Sequence, residues 1–173
     1  MDNDAWAHID LGNQINNSWN KDSALALKLN DFSRAVKIRA NDKKDLRDKH
    51  IKPISSRKDE RHNMKIIVII YSFLLFKLLD NLRTTITKVK LCNDISPHDD
   101  VYRFLNKICQ YYCVKNLSED IKIRFKEKAE GKSKAHNIAN SVYKGRRKED
   151  YLIKTKDIEE LNEIINRLGK DGS

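Results

Sequence analysis

Residues 66–79 read IIVIIYSFLLFKLL, an apolar run broken only by Ser72 and Lys77. A helix that is apolar around its whole circumference has to be surrounded, by protein or by lipid. Spanning a bilayer takes about 20 such residues, and this run stops at fourteen, continuing as Asp80-Asn81 and reaching Arg83. The segment therefore predicts a central buried helix and no membrane span. A narrower stripe of Leu75, Leu78, Leu79, Leu82, Ile86 and Val89 carries the helical periodicity on towards residue 92. The Ile and Val at the start of the run also suit a short buried strand.

A chain of 173 residues can enclose a core around such an element without disulfides or metals. Its 35% charged residues exceed the usual share and its apolar content is low. With five glycines and two prolines, a sheet made of many tight turns is disfavoured. Three irregularly spaced cysteines, Cys92, Cys109 and Cys113, do not describe a secreted disulfide scaffold. The acidic start Met1-Asp2-Asn3-Asp4 resembles neither a secretory signal nor a basic transit peptide. These features together predict an intracellular protein, cytoplasmic or nuclear.

Local patterns supply the remaining elements. Residues 1–21 are rich in Asn and Asp and read as irregular, or as a short helix docked by Trp6 and Trp19. Asp22 and Ser23 suit a helix N-cap, and Leu25, Leu29, Phe32 and Val36 follow at spacings of four, three and four, which predicts a helix. The alternation of Leu25, Leu27 and Leu29, then Val36 and Ile38, offers a hairpin as the rival. Residues 40–63 lack apolar periodicity and contain Pro53, so they read as a flexible basic linker. Ser96-Pro97 opens a helix with Asp99 and Asp100 in its first turn. Its buried face is Val101, Phe104, Leu105, Ile108, Cys109 and Tyr112. Beyond it come an alternating strand over 121–126, a helix over 135–143, a short strand at 151–155 and a helix over 158–168.

The expected fold is α+β and mainly helical: a helical body with a strand–helix–strand–helix C-terminal part, all-α being the alternative. Residues 1–63 would form an N-terminal helix plus linker, and 64–173 the core domain, unless the whole is a single domain.

The net charge of +10 is arranged in blocks. Residues 33–65 carry twelve basic and five acidic side chains, and residues 132–156 carry eight and two, while both ends of the chain are acidic. Clustered cations attract polyanions with a steep salt dependence. The most specific group is Lys144, Arg146, Arg147 and Lys148 between Tyr143 and Tyr151, with Lys132 and Lys134 upstream. Arg and Lys in short polar connections grip phosphates, and tyrosine can stack on a base. Arg57, Lys58 and Arg61 make a second group, diluted by neighbouring acids.

Three chemical motifs fall short. Cys92, His98, Cys109 and Cys113 lack the paired spacings of a zinc site. Gly131-Lys132-Ser133 lacks the first glycine of a phosphate loop, since residue 126 is lysine. Asp120 with Glu130-Gly131-Lys132 imitates the spacing of metal-dependent nucleases, but Lys128-Ala129-Glu130-Gly131-Lys132 is too polar for the strand such a site needs. The five histidines show no paired nucleophile. No catalytic residue, metal ligand or cofactor is expected.

The sequence thus points to a non-enzymatic nucleic-acid-binding protein that contacts RNA or DNA through phosphates with little sequence preference. A small viral or phage accessory protein or assembly subunit, binding an acidic protein partner or forming a homo-oligomer, is the first alternative. A small metal-dependent nuclease is the second.

Overall fold

A computed structural model describes residues 5–16, 19–127 and 130–169. The acidic start and Lys128-Ala129 of the nuclease-like segment lie outside the described residues.

The strands are β1 (Ala7–Gly12), β2 (Ser23–Leu29), β3 (Phe32–Ile38), β4 (Lys88–Leu91), β5 (Lys122–Phe125) and β6 (Tyr151–Leu152). They form one sheet in the order β5-β4-β1-β2-β3-β6. β1, β2 and β3 pair antiparallel, whereas β4 is parallel to β1, β5 to β4 and β6 to β3. The helices are α1 (Ala40–His50), α2 (Arg57–Leu79), α3 (His98–Tyr111), α4 (Leu117–Asp120), α5 (His136–Tyr143) and α6 (Thr155–Gly169).

This overturns the expected α+β, mainly helical body and its all-α alternative. Helix covers 49% of the described residues and strand 19%, but the organising element is a mixed sheet with helices packed on it, an α/β arrangement. The errors lie before residue 92: the first forty residues hold three strands, the segment 40–63 expected as a flexible linker holds α1 and the start of α2, and the helix expected to reach residue 92 gives way to β4. The segment expected as a helix after Ser23 is the β2–β3 hairpin, closed by Asn30-Asp31 with Asn30 at φ 51°. Asn is one of the few residues that tolerates this left-handed conformation. In the hairpin Leu25 pairs with Val36 and Leu29 with Phe32, so the stripe read as helical is one face of two paired strands.

The sheet has two unlike faces. On one, Ala7, Ile9 and Leu11 of β1 align with Leu25 and Leu27, Val36 and Ile38, and Val89 and Leu91. All but Leu11, which is 6% exposed, are sealed from solvent, and they join α2, α3 and α6 in one core. The apolar run behaves as read: Ile66 to Phe76 is buried without interruption. The helix starts earlier than its apolar part, at Ser56, whose hydroxyl accepts the Asp59 N–H. It ends at Leu79, so Val89 belongs to β4. No helix among the described residues is long and apolar enough to cross a membrane.

On the other face stand His8, Asp10 and Gly12, then Ala24 and Ala26, Ala35, and the polar row of β4 and β5. On this side α5 covers the small residues of β1–β3, where Ala139 and Val142 pack on Ala24, Ala26 and Ala35. The C-terminal third matches its sequence pattern: β5, α5, β6 and α6 all form where expected.

Candidate metal centre

β1 and β4 are neighbours and parallel, with Ile9 opposite Leu91. The ladder extends one step further through the bond from Cys92 N–H to the Ile9 carbonyl at 3.0 Å. Asp10, two residues before the end of β1, and Cys92, just past the end of β4, therefore stand side by side towards the carboxyl ends of two parallel strands, the region where open α/β sheets form ligand crevices. Asp94 follows two residues on. Ligand atoms of Asp10, Cys92 and Asp94 all lie within 4.8 Å of one another.

α5 completes the group. Ala139 rests against Gly12, where a Cβ would overlap its carbonyl. Three residues earlier on the helix, His136 meets Asp10, with Nδ1 3.2 Å from Oδ2. The Asn140 side-chain amide is 2.9 Å from Nε2. An amide proton donated to Nε2 leaves the ring proton on Nδ1, facing Asp10.

Asp10 is only 5% exposed, and its Oδ1 accepts the Leu11 N–H at 2.8 Å. Burial, and then the neighbouring Asp10, push the Asp94 carboxyl up to about 6. Its Oδ2 is buried and has no hydrogen-bond partner among the described residues. Burial pushes the Cys92 thiol up to about 12, with Asp10 adding to the effect. Cys92 is thus a protonated thiol near neutral pH, and the charge of the site belongs to the carboxylates. Two carboxylates held together, one with an orphaned buried oxygen, fit a hard divalent cation such as Mg2+ or Mn2+.

Positive charge gathers next to this acidic pair, around His8. His8 stands two residues before Asp10 on the same face. Its pKa is lowered by burial first, then by Lys134, Lys90 and Lys126. Lys90 binds Glu130 at 2.7 Å, and Lys126 donates to the Gly131 carbonyl. The loop 131–135 lies against the site: Ser133 is buried beside Cys92, and Lys132 and Lys134 are exposed on either side of it.

Of the nine expected phosphate-binding residues, Lys132 and Lys134 stand at this centre. Lys144, Arg146, Arg147 and Lys148 follow the far end of α5, about 12 Å along the helix at 1.5 Å per residue. There Lys144 lies over the Tyr143 ring at 5.6 Å and Arg147 donates to the Ser33 hydroxyl at 3.0 Å. Arg57, Lys58 and Arg61 are exposed on the first turns of α2, in the helix layer on the opposite side of the sheet. Lys43, from the same basic block, is turned inward and bonds Ser23 Oγ at 2.8 Å.

The motifs weighed from sequence are dispersed. Asp120 pairs with Lys115 and Arg83, before β5, while Glu130 pairs with Lys90 and Arg124, after it. His98 stacks on Phe125, Cys109 is buried, and Cys113 is exposed. Sequence reasoning missed Asp10, Asp94 and His136. The available signal was an acid inside an apolar alternation, His8-Ile9-Asp10-Leu11-Gly12, and a second just past Val89-Lys90-Leu91.

No family model, curated protein or solved structure matches the chain.

Proposed function

We propose that this protein is a divalent-metal-dependent phosphodiesterase acting on nucleic acid. The observation that carries the reading is the pairing of Asp10 with Asp94, next to a His8 on which Lys134, Lys90 and Lys126 act. A buried pair of like charges is costly to ionise unless a cation sits between them. The lysines near His8 suit a phosphodiester, whose negative charge they would attract.

A bound divalent cation supplies Lewis-acid polarisation of the phosphoryl oxygen and a water of lowered pKa. The protein's own groups do the rest. Asp10 on β1 and Asp94 in the turn after β4 would hold the cation. The His136 N–H fixes the orientation of the Asp10 carboxylate, as a second partner commonly does for a metal ligand. Lys134, beside His8, holds the phosphate backbone against the crevice and stabilises charge developing on it. The basic blocks at 144–148 and 57–61 add sequence-independent affinity for a polyanion, which also suits an intracellular setting.

The test is incubation of labelled single- and double-stranded DNA and RNA with protein in Mg2+, Mn2+ or EDTA. Metal-dependent cleavage, lost in Asp10→Asn and Asp94→Asn with binding retained, is the expected result. Salt-sensitive binding without cleavage in any metal would return the protein to the non-enzymatic binding class that its composition alone suggests.

A further inference from the structure

The half of the polar face that α5 leaves uncovered has a composition of its own. On β4 it presents Lys88 and Lys90, and on β5 their register partners Lys122 and Arg124. Trp6, immediately before β1, shares the face of His8 and Asp10 by strand alternation. Its half-buried ring lies among three of these cations, with Arg124 at 4.8 Å, Lys90 at 5.5 Å and Lys122 at 5.8 Å from the centroid. Lys122 is exposed and meets no carboxylate among the described residues. Trp6 is four residues from Asp10, about 13 Å along an extended strand.

An aromatic ring set in a row of cations on a sheet face is the chemistry that holds unpaired nucleotides, because bases stack on the ring and phosphates meet the cations. A duplex keeps its base faces inside the stack and cannot use the ring. We propose that a single-stranded stretch of nucleic acid lies across the β4–β5 face, with a base on Trp6 and phosphates on Lys122 and Arg124, and runs from there towards Asp10 and Asp94. The proposal rests on the phosphodiesterase reading for its direction and names the substrate as single-stranded. Glu130, which bridges Lys90 and Arg124, is the anion that the backbone would replace.

The experiment is anisotropy titration in EDTA, so that no strand is cut, with labelled oligo-dT and oligo-dU of about 15 nucleotides, within the known site sizes of small single-strand binders, and a duplex of the same length. The single strands should bind at least about tenfold tighter than the duplex, and Trp6→Ala should weaken them about five- to hundredfold, the span of one stacked base. Lys122→Glu, a change at an exposed position, should weaken them at least about threefold and flatten the salt dependence. Circular dichroism and melting temperature check that each variant is folded. Equal affinity for the duplex, or single-strand affinity within twofold of wild type in folded Trp6→Ala and Lys122→Glu, overturns the proposal. If those variants lose binding but neither wild type nor Asp10→Asn ever cleaves, the docking face stands and the phosphodiesterase reading falls. If cleavage depends on Asp10 while Trp6→Ala changes nothing, the reverse holds.

Discussion

The carbonyl of Ala139 rests directly on the α-carbon of Gly12, so α5 is seated on β1 at a point where no side chain fits. This contact sets the height of α5 above the sheet and with it the position of His136 over Asp10. Gly12→Ala has to lift the helix, because the atoms met are backbone rather than a flexible side-chain end. The expected loss is about 1–3 kcal/mol, the usual range for overpacking. Metal-dependent cleavage should fall by more than the fraction unfolded, since His136 moves away with the helix. Urea denaturation and a cleavage assay on the same preparation separate the two effects.

Asp94 should cost stability in the absence of a cation. Its carboxyl is raised in the folded protein, so between the unfolded value near 3.8 and about 6 the folded state binds more protons than the unfolded state. Stability contributed by this group is therefore greatest at low pH and declines as pH rises through that window. Asp94→Asn removes the decline, so in EDTA near neutral pH its melting temperature should equal or exceed that of wild type. Mg2+ or Mn2+ should raise the wild-type melting temperature and leave the variant unmoved. A variant that melts well below wild type in EDTA would show that the acid pair is a structural element rather than a cation site.

How much of this was legible in the sequence differs by element. The run 66–79 was legible as a buried helix, because it is too short to span a bilayer and too apolar to face water, and β5, α5, β6 and α6 follow local patterns. The hairpin of β2 and β3 was legible as the rival reading, in the alternation of Leu25, Leu27 and Leu29, but a helix is favoured because Leu25, Leu29, Phe32 and Val36 satisfy a helical spacing once a two-residue turn is counted through. β1 was hidden for a different reason. Its polar face carries His8, Asp10 and Gly12, of which Asp10 meets His136 and Gly12 admits the backbone of α5, so the strand lacks the composition of a core strand. Such local disagreement is expected where a site is built. The pairing of Asp10 with Asp94, 84 positions apart, exists only through the register of β1 on β4.

The two ends of α5 should separate affinity from turnover. Lys134 lies close enough to His8 to lower its pKa, and so stands at the crevice. Arg146 is exposed beyond the other end of the helix. Lys134→Glu should lower both single-strand affinity and the rate at saturating substrate. Arg146→Glu should reduce the salt slope by about one contact, 0.7–0.9 in log–log units, and leave the saturated rate unchanged. Single-turnover cleavage across a salt series reads both quantities.

Lys77 is the lone charge in the apolar run and is held by the last helix. Its ammonium binds Asp157 at 2.7 Å and Glu160 at 3.5 Å, and lies over the rings of Phe73 and Tyr112 at about 5 Å. Asp157 is nearly buried, and it also accepts the Tyr151 hydroxyl and the Lys154 N–H. Burial alone would raise the Asp157 carboxyl, but Lys77 and these two donors outweigh it and hold it below its ordinary value. Lys77→Met keeps the apolar stem and strands that carboxylate. The expected cost near neutral pH is about 3 kcal/mol, the lower end for breaking a buried pair. A depressed carboxyl contributes stability above its unfolded value and loses it as pH falls through the folded value. The gap between Lys77→Met and wild type should therefore narrow on acidification below pH 4. A double variant, Lys77→Met with Asp157→Asn, should recover a large part of the loss, because it leaves no unpaired charge between α2 and α6. Chemical denaturation at neutral and acid pH measures both, and a gap that does not change with pH would place the role of Lys77 in its packing on Phe73 and Tyr112 instead of in its charge.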